Sequence, residues 1–272
     1  MVINSITIED ILPHNCSKFM KKIPEKDALL PFILLPILLV IATISLSVTV
    51  IVMILIGMGA LYVQSRPRQK NRSPFFYCWT LSSVICLFLV FEIGIVRTLK
   101  VTQKEHFIFL LLFGCTYYFF YKMKAVADIE LFEGPKGKLY SPVLTSDSYH
   151  CPVCQLEVNE RYFHSIWWDC CVFRPNYMYF LFGQVFALMT LVFGTNLGLT
   201  TVCKPFEFYG PILLPMDCSD MYFKFRYTFY FVSCVYGIGY IIVIMLVLIK
   251  QLFIYLPKYA EPKWKRLMNI TV

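Results

Sequence analysis

Apolar residues in this chain come in long blocks, and its polar and charged residues collect between those blocks. About 20 consecutive apolar residues are needed for a helix to cross the hydrocarbon core of a bilayer. The stretches 75–96, 105–123, 177–199 and 224–255 predict four such transmembrane helices. An earlier run, 28–63, is too long and begins too far into the chain to be a signal peptide. It is long for one helix and short for two, and Pro31 and Pro36 are placed to break its start. We read it as one long extra span, with a two-span hairpin as the alternative. Residues 1–27 form an N-terminal segment, 124–176 a Cys-rich loop domain and 256–272 a tail. The expected fold is an all-α polytopic membrane protein: a helical bundle with a small metal-stapled domain between spans.

Composition agrees. Of 272 residues, 58% are hydrophobic and 15% charged, where a soluble domain carries about a quarter charged. The net charge of +8 does not point to nucleic acid, because the Lys and Arg residues cluster just outside the apolar blocks. That bias sets orientation. Arg66, Arg68, Lys70 and Arg72 put the loop before 75–96 in the cytosol. Two crossings later, 124–176 is cytosolic again, in keeping with Lys124, Lys136, Lys138 and Arg161. Residues 200–222 become lumenal, and the tail returns to the cytosol with Lys258, Lys263, Lys265 and Arg266. Arg97, Lys100 and Lys104 oppose the scheme but are outnumbered. A single span at 28–63 puts the N-terminus in the lumen, where Asn15-Cys16-Ser17 could accept a glycan; a hairpin puts it in the cytosol.

Chemistry concentrates in "CPVCQLEVNERYFHSIWWDCC", residues 151–171. Cys151 and Cys154 share a tight turn, and His164 and Cys171 follow. Three thiolates and an imidazole are the ligand set of structural zinc, and four protein ligands leave no open position to activate water. Such an ion replaces a core that so short a segment cannot bury. Cys170 is a competing ligand or a free thiol, and the cytosol disfavours disulfides among these residues. Cys78, Cys86, Cys115 and Cys234 lie inside apolar blocks as small hydrophobes.

The order of two spans, a Cys/His-rich loop and two more spans resembles the DHHC protein S-palmitoyltransferases. Their loop runs from a Cys-x2-Cys through His-Cys-x2-Cys-x2-Cys-x4-Asp-His-His-Cys-x5-Cys-x4-Asn-x3-Phe. Without a gap, His150, Cys151, Cys154, His164, Cys171, Asn176 and Phe180 fall on that pattern, and Trp167 and Tyr179 on positions often aromatic in it. The departures are concentrated at the chemistry. Asp-His-His-Cys is replaced by "YFHS": Tyr162 stands for the Asp, Phe163 for the first His and Ser165 for the nucleophilic Cys. In the family, that Cys takes an acyl chain from acyl-CoA and passes it to a substrate Cys. A serine hydroxyl needs a positioned base to attack a thioester, and phenylalanine is none.

The resemblance implies two zinc sites. One maps onto Gly137, Tyr140, His150 and Glu157, where only His150 ligates well, so that site is expected to be lost. The other maps onto Cys151, Cys154, His164 and Cys171 and is whole, so one structural Zn2+ is expected. The family's Asp-Pro-Gly element has a weak echo in "FEGPKG", and its Thr-Thr-x-Glu is absent after the last span.

Other features read more simply. Aromatics at span ends form interface belts; in the resembling family, inner faces of the spans line an acyl-chain cavity. Cys203 and Cys218 flank the lumenal loop, whose compartment allows a disulfide. Gly237 and Gly239 are placed for close helix packing. The resulting expectation is a DHHC-like protein of the endoplasmic reticulum or Golgi with a degenerate catalytic motif. Its expected ligands are membrane lipids, palmitoyl-CoA and membrane-associated protein substrates or partners. The alternatives are an active acyltransferase using Ser165 or another residue, and a non-enzymatic membrane adaptor with a zinc-stapled loop.

Overall fold

The computed structural model describes residues 25–65, 74–99, 101–132, 148–154, 156–203, 206–209, 212–215 and 218–260. Asn15, the basic loop before residue 74, Gly137, Tyr140 and most of the tail lie outside the described residues.

The apolar blocks are helices. They are α1 (Glu25–Ala42), α2 (Leu46–Ser65), α3 (Phe75–Leu89), α4 (Gln103–Phe132), α5 (Arg174–Val202) and α6 (Phe225–Lys250). Helix α3 continues through a π-helical turn, Val90–Ile95, into a last turn, Val96–Leu99. Helix α6 continues through another, Gln251–Tyr255, into α7 (Leu256–Ala260). Among the described residues, four helical stretches are long and apolar enough to cross a membrane: Phe75–Thr98, Gln103–Ile129, Arg174–Val202 and Phe225–Tyr255.

The expected single span at 28–63 is instead two helices, both shorter than those four. The break falls at residues 43–45, not at the prolines: Pro31 and Pro36 lie inside α1. Thr43 closes α1 by donating its hydroxyl to the Val40 carbonyl at 2.7 Å. Ser45 opens α2 by accepting the Val48 N–H on its Oγ at 3.3 Å, the bond an N-cap serine makes. Helix α1 packs on α3, where the Pro31 carbonyl accepts the Ser82 hydroxyl at 3.2 Å. Leu35, Leu39 and Val52 bury themselves with Val232 and Tyr236 of α6.

The bundle is built on α4–α5 and α5–α6, its most extensive contacts. Small residues permit the approach. A Cβ on Gly183 of α5 would lie 2.9 Å from the Phe120 ring of α4. One on Gly237 of α6 would lie 2.7 Å from the Thr195 methyl of α5, whereas Gly239 faces open space, so only the first of the expected pair is a packing glycine. Across from this seam, Trp79 and Ser83 of α3 meet Tyr236 and Tyr240 of α6. Trp79 Nε1 donates to Tyr236 Oη at 3.1 Å, and Tyr240 Oη donates to Ser83 Oγ at 3.0 Å. Glu92, a charge within a span, faces His106 of α4 at 3.0 Å, as intramembrane charges do when paired.

Among the described residues, three two-stranded antiparallel hairpins interrupt the helical plan. Strands β1 (Ser148–Cys151), β2 (Leu156–Asn159), β3 (Arg161–Ser165) and β4 (Cys170–Phe173) lie between α4 and α5. Strands β5 (Phe206–Tyr209) and β6 (Ile212–Pro215) follow α5 at the other end of the bundle. Cys203 and Cys218 are joined by a disulfide that brackets this last hairpin.

Candidate metal centre and cavity

The metal-type residues are brought together by two hairpins. Cys151 ends β1, and the turn that follows points the Cys154 N–H at the Cys151 sulfur, 3.4 Å away. In the second hairpin, His164 of β3 pairs directly with Cys171 of β4. Because side chains alternate along a strand, Cys171 shares the face of His164 while its neighbour Cys170, opposite Ser165, takes the other. Cys170 is fully buried and outside the cluster, so of the two adjacent cysteines only Cys171 offers its sulfur to the group.

The ligand atoms of Cys151, Cys154, His164 and Cys171 all lie within 4.8 Å of one another. His164 Nδ1 is 3.9, 3.4 and 3.6 Å from the sulfurs of Cys151, Cys154 and Cys171, and the last two sulfurs are 3.4 Å apart. Tetrahedral zinc with Zn–S of about 2.3 Å and Zn–N of about 2.0–2.1 Å spaces its ligands by roughly 3.6–3.8 Å. The donor set therefore fits that ion in type and spacing. Crowding of the three sulfurs splits their proton affinities. Hydrogen bonds from Cys154 and Cys171 hold the Cys151 thiol far below its usual range. Cys171 is pushed up to about 12, chiefly through its hydrogen bond with Cys151, with burial adding.

Two residues with left-handed backbone shape these hairpins: Glu160 (φ 48°) and Asp169 (φ 45°). Glu160 turns β2 into β3, its carbonyl accepting the Arg174 N–H at 3.3 Å and its carboxylate facing the Arg174 guanidinium at 3.7 Å. Asp169 closes the turn into β4 and places its carboxylate 3.8 Å from His164 Nε2. No spacing rule singles out Asp169, because nothing in sequence marks a turn aspartate as buried. Asn176, in the first turn of α5, locks the hairpin to the bundle. Its Oδ1 accepts the Phe173 N–H at 2.8 Å, and its Nδ2 donates to the Cys171 and Met123 carbonyls at 3.0 and 3.3 Å.

The "YFHS" positions lie on β3. The Tyr162 ring packs edge-on against Tyr177 and Tyr255, and the Phe163 ring against Phe180 and Tyr255. Ser165, 8% exposed, lines the wall of a cavity of about 1130 Å³, larger than the roughly 300–1,000 Å³ usual for small-ligand sites. Phe163, His164, Ile166, Trp167, Trp168 and Asp169 join Ser165, with Val153 of the first hairpin turn; α2, α3, α4, α5 and α6 and the π-helical turns after α3 and α6 supply the rest. Trp167 meets the Phe76 ring and Trp168 stacks on Phe120, so the hairpin turn is seated on α3 and α4.

Residues 142–264, spanning the hairpins, α5, α6 and α7, match the family model for DHHC palmitoyltransferase. Over these residues the chain carries a DHHC palmitoyltransferase domain match. A human relative, Palmitoyltransferase ZDHHC23, is 29% identical over 105 residues, which are 37% of this chain and 25% of the relative. The mouse and rat proteins of that name are each 26% identical over 106 residues, covering 24% of their length. The match thus spans about a quarter of the length of the curated relatives. No solved structure matches.

Within the DHHC family pattern, the second metal set, Cys151, Cys154, His164 and Cys171, is assembled. Of the first set, Gly137 and Tyr140 lie outside the described residues. His150 is exposed, stands opposite Glu157 in the hairpin and offers its carbonyl to the Arg161 guanidinium at 3.2 Å. Asn176 and Phe180 hold the domain together rather than facing a ligand ion.

Proposed function

We propose that this chain is a DHHC-family membrane protein that keeps one zinc-stapled hairpin pair and an acyl-chain cavity but has lost cysteine-based acyl transfer. The observation that carries this is the position of Ser165. It stands on the cavity wall at the family's nucleophile position, beside Tyr162 and Phe163, whose rings are packed into aromatic neighbours. The phenyl ring cannot take the hydroxyl proton. His164 turns its Nδ1 to three sulfurs and is committed to the metal cluster. A serine without a base is a poor nucleophile toward a thioester.

Zinc would be held by Cys151, Cys154, His164 and Cys171. With four protein ligands it supplies a cross-link, not an activated water. The cavity's mainly apolar walls suit the chain of palmitoyl-CoA or a membrane lipid, and the Lys/Arg bias supports a cytosolic face for the hairpins in the endoplasmic reticulum or Golgi. The role that follows is acyl-group binding, coupled to membrane-associated protein partners. The competing reading, an active Ser165 acyltransferase, is favoured by that residue's access to the cavity.

One experiment separates them. Purified chain is incubated with labelled palmitoyl-CoA beside Ser165→Ala and Ser165→Cys. The expectation is ligand retained without a hydroxylamine-resistant or hydroxylamine-labile adduct in the wild type. Covalent label on the wild type that disappears in Ser165→Ala would overturn the degenerate reading. Metal analysis should find about one zinc per chain; two would mean that the first family site survives.

A further inference from the structure

Asp169 is the one buried carboxylate beside the metal cluster among the described residues. Its backbone sits at φ 45°, a conformation uncommon for any residue with a Cβ and best tolerated by Asn and Asp. Its side chain is 7% exposed and faces His164 Nε2 at 3.8 Å, while the His164 side chain is 1% exposed. The other imidazole nitrogen, Nδ1, is the one ringed by the three sulfurs. An imidazole that gives its Nδ1 lone pair to a metal carries its proton on Nε2. That proton points away from the cluster and needs an acceptor, since a buried N–H left unpaired is costly.

Building on the zinc reading above, we propose that Asp169 is a positioning residue for the metal. Its carboxylate accepts the Nε2 proton of His164, fixes the tautomer and sets the ring plane so that Nδ1 faces the ion. A bound zinc would strengthen Nε2–H as a donor, and Asp169, 3.8 Å away, is the carboxylate placed to accept it. The turn 166–169 then has a reason for its left-handed closure: that conformation accompanies a carboxylate held against His164. Because Asp169 also lines the cavity near Ser165, the same contact ties the metal centre to the cavity wall. It also engages the imidazole at both nitrogens and so keeps His164 from serving Ser165 as a base.

The test uses the full chain in detergent, stripped of metal and titrated with Zn2+ against a chromogenic chelator. Wild type is compared with Asp169→Asn and Asp169→Gly. Both replacements tolerate positive φ, so the turn is kept, but only Asn keeps an acceptor oxygen. The expected result is a Gly variant that binds zinc about 10–100-fold more weakly, the usual cost of losing such a partner, and an Asn variant within a few-fold of wild type. Equal affinity of Asp169→Gly and wild type would overturn the proposal, as would an Asn variant as weak as Gly. A wild type that takes up no zinc would instead sink the metal reading itself. Should the Gly variant not be recovered folded, Asp169→Ala, which also lacks the acceptor, takes its place. Zinc release about tenfold faster than wild type or more supports the role, and release at the wild-type rate overturns it.

Discussion

Asn176 shows how a motif position can be structural. Its amide makes three hydrogen bonds at the point where β4, α4 and α5 meet, and it is fully buried. Asn176→Ala would strand the Phe173 N–H and two carbonyls. At about 1–3 kcal/mol per stranded buried group, a loss on the order of 3 kcal/mol is expected, read as a lower unfolding midpoint in detergent. Asn176→Asp should cost at least as much, because a buried carboxylate would face the Cys171 and Met123 carbonyls with no proton to donate. A midpoint unchanged in Asn176→Ala would mean the lock is redundant. The four metal-type residues were legible from spacing alone, since Cys-x2-Cys and a following His and Cys already state a tetrahedral donor set. Asp169 was not legible, because burial of a turn carboxylate depends on where another hairpin places an imidazole.

Among the elements, hydropathy located the four long helices but not their ends. Helix α4 runs to Phe132, beyond the apolar block that closes near residue 123, because its last turns bury Met123 and Ala127 against the hairpins. A transmembrane block ends where charge begins; a helix ends where its hydrogen bonds do. The break at 43–45 was missed for a related reason. Prolines attract attention as helix breakers, yet α1 passes through both, and a threonine and a serine make the turn. The two glycines of α6 separate pattern from packing. Gly237→Ala pushes a methyl into Thr195, a β-branched neighbour with little room to move, and overpacking of this kind costs about 1–3 kcal/mol. Gly239→Ala meets nothing and should be neutral or gain up to about 1 kcal/mol of helix propensity. Thermal midpoints of the two variants check this directly, and equal destabilisation by both would show that the α5–α6 seam is looser than described.

At the scale of the molecule, the hairpins and the helices enclose one space. Side chains of the β3–β4 turn form one end of the cavity, and that turn is held from below by Phe76, Phe120 and Lys124, whose ammonium donates to the Trp168 carbonyl at 3.2 Å. The helices satisfy their own backbone hydrogen bonds and do not depend on the ion. The hairpins lack a large core of their own and, on the zinc reading, would depend on it. Removing zinc should therefore split the molecule's behaviour. With an excess of chelator, helical circular dichroism should persist, while Cys151, Cys154 and Cys171 become reactive to maleimide and retained acyl ligand is released. Cys154→Ser should reproduce the chelated state without chelator. Acidification should act in the same direction, because protons compete for thiolate and imidazole ligands, so retention declines as pH falls and recovers with added zinc at neutral pH. If the chelated protein exposes its thiols yet holds the acyl chain as tightly as before, the helices alone close the cavity, and the metal-stapled turn is a lid in position but not in effect.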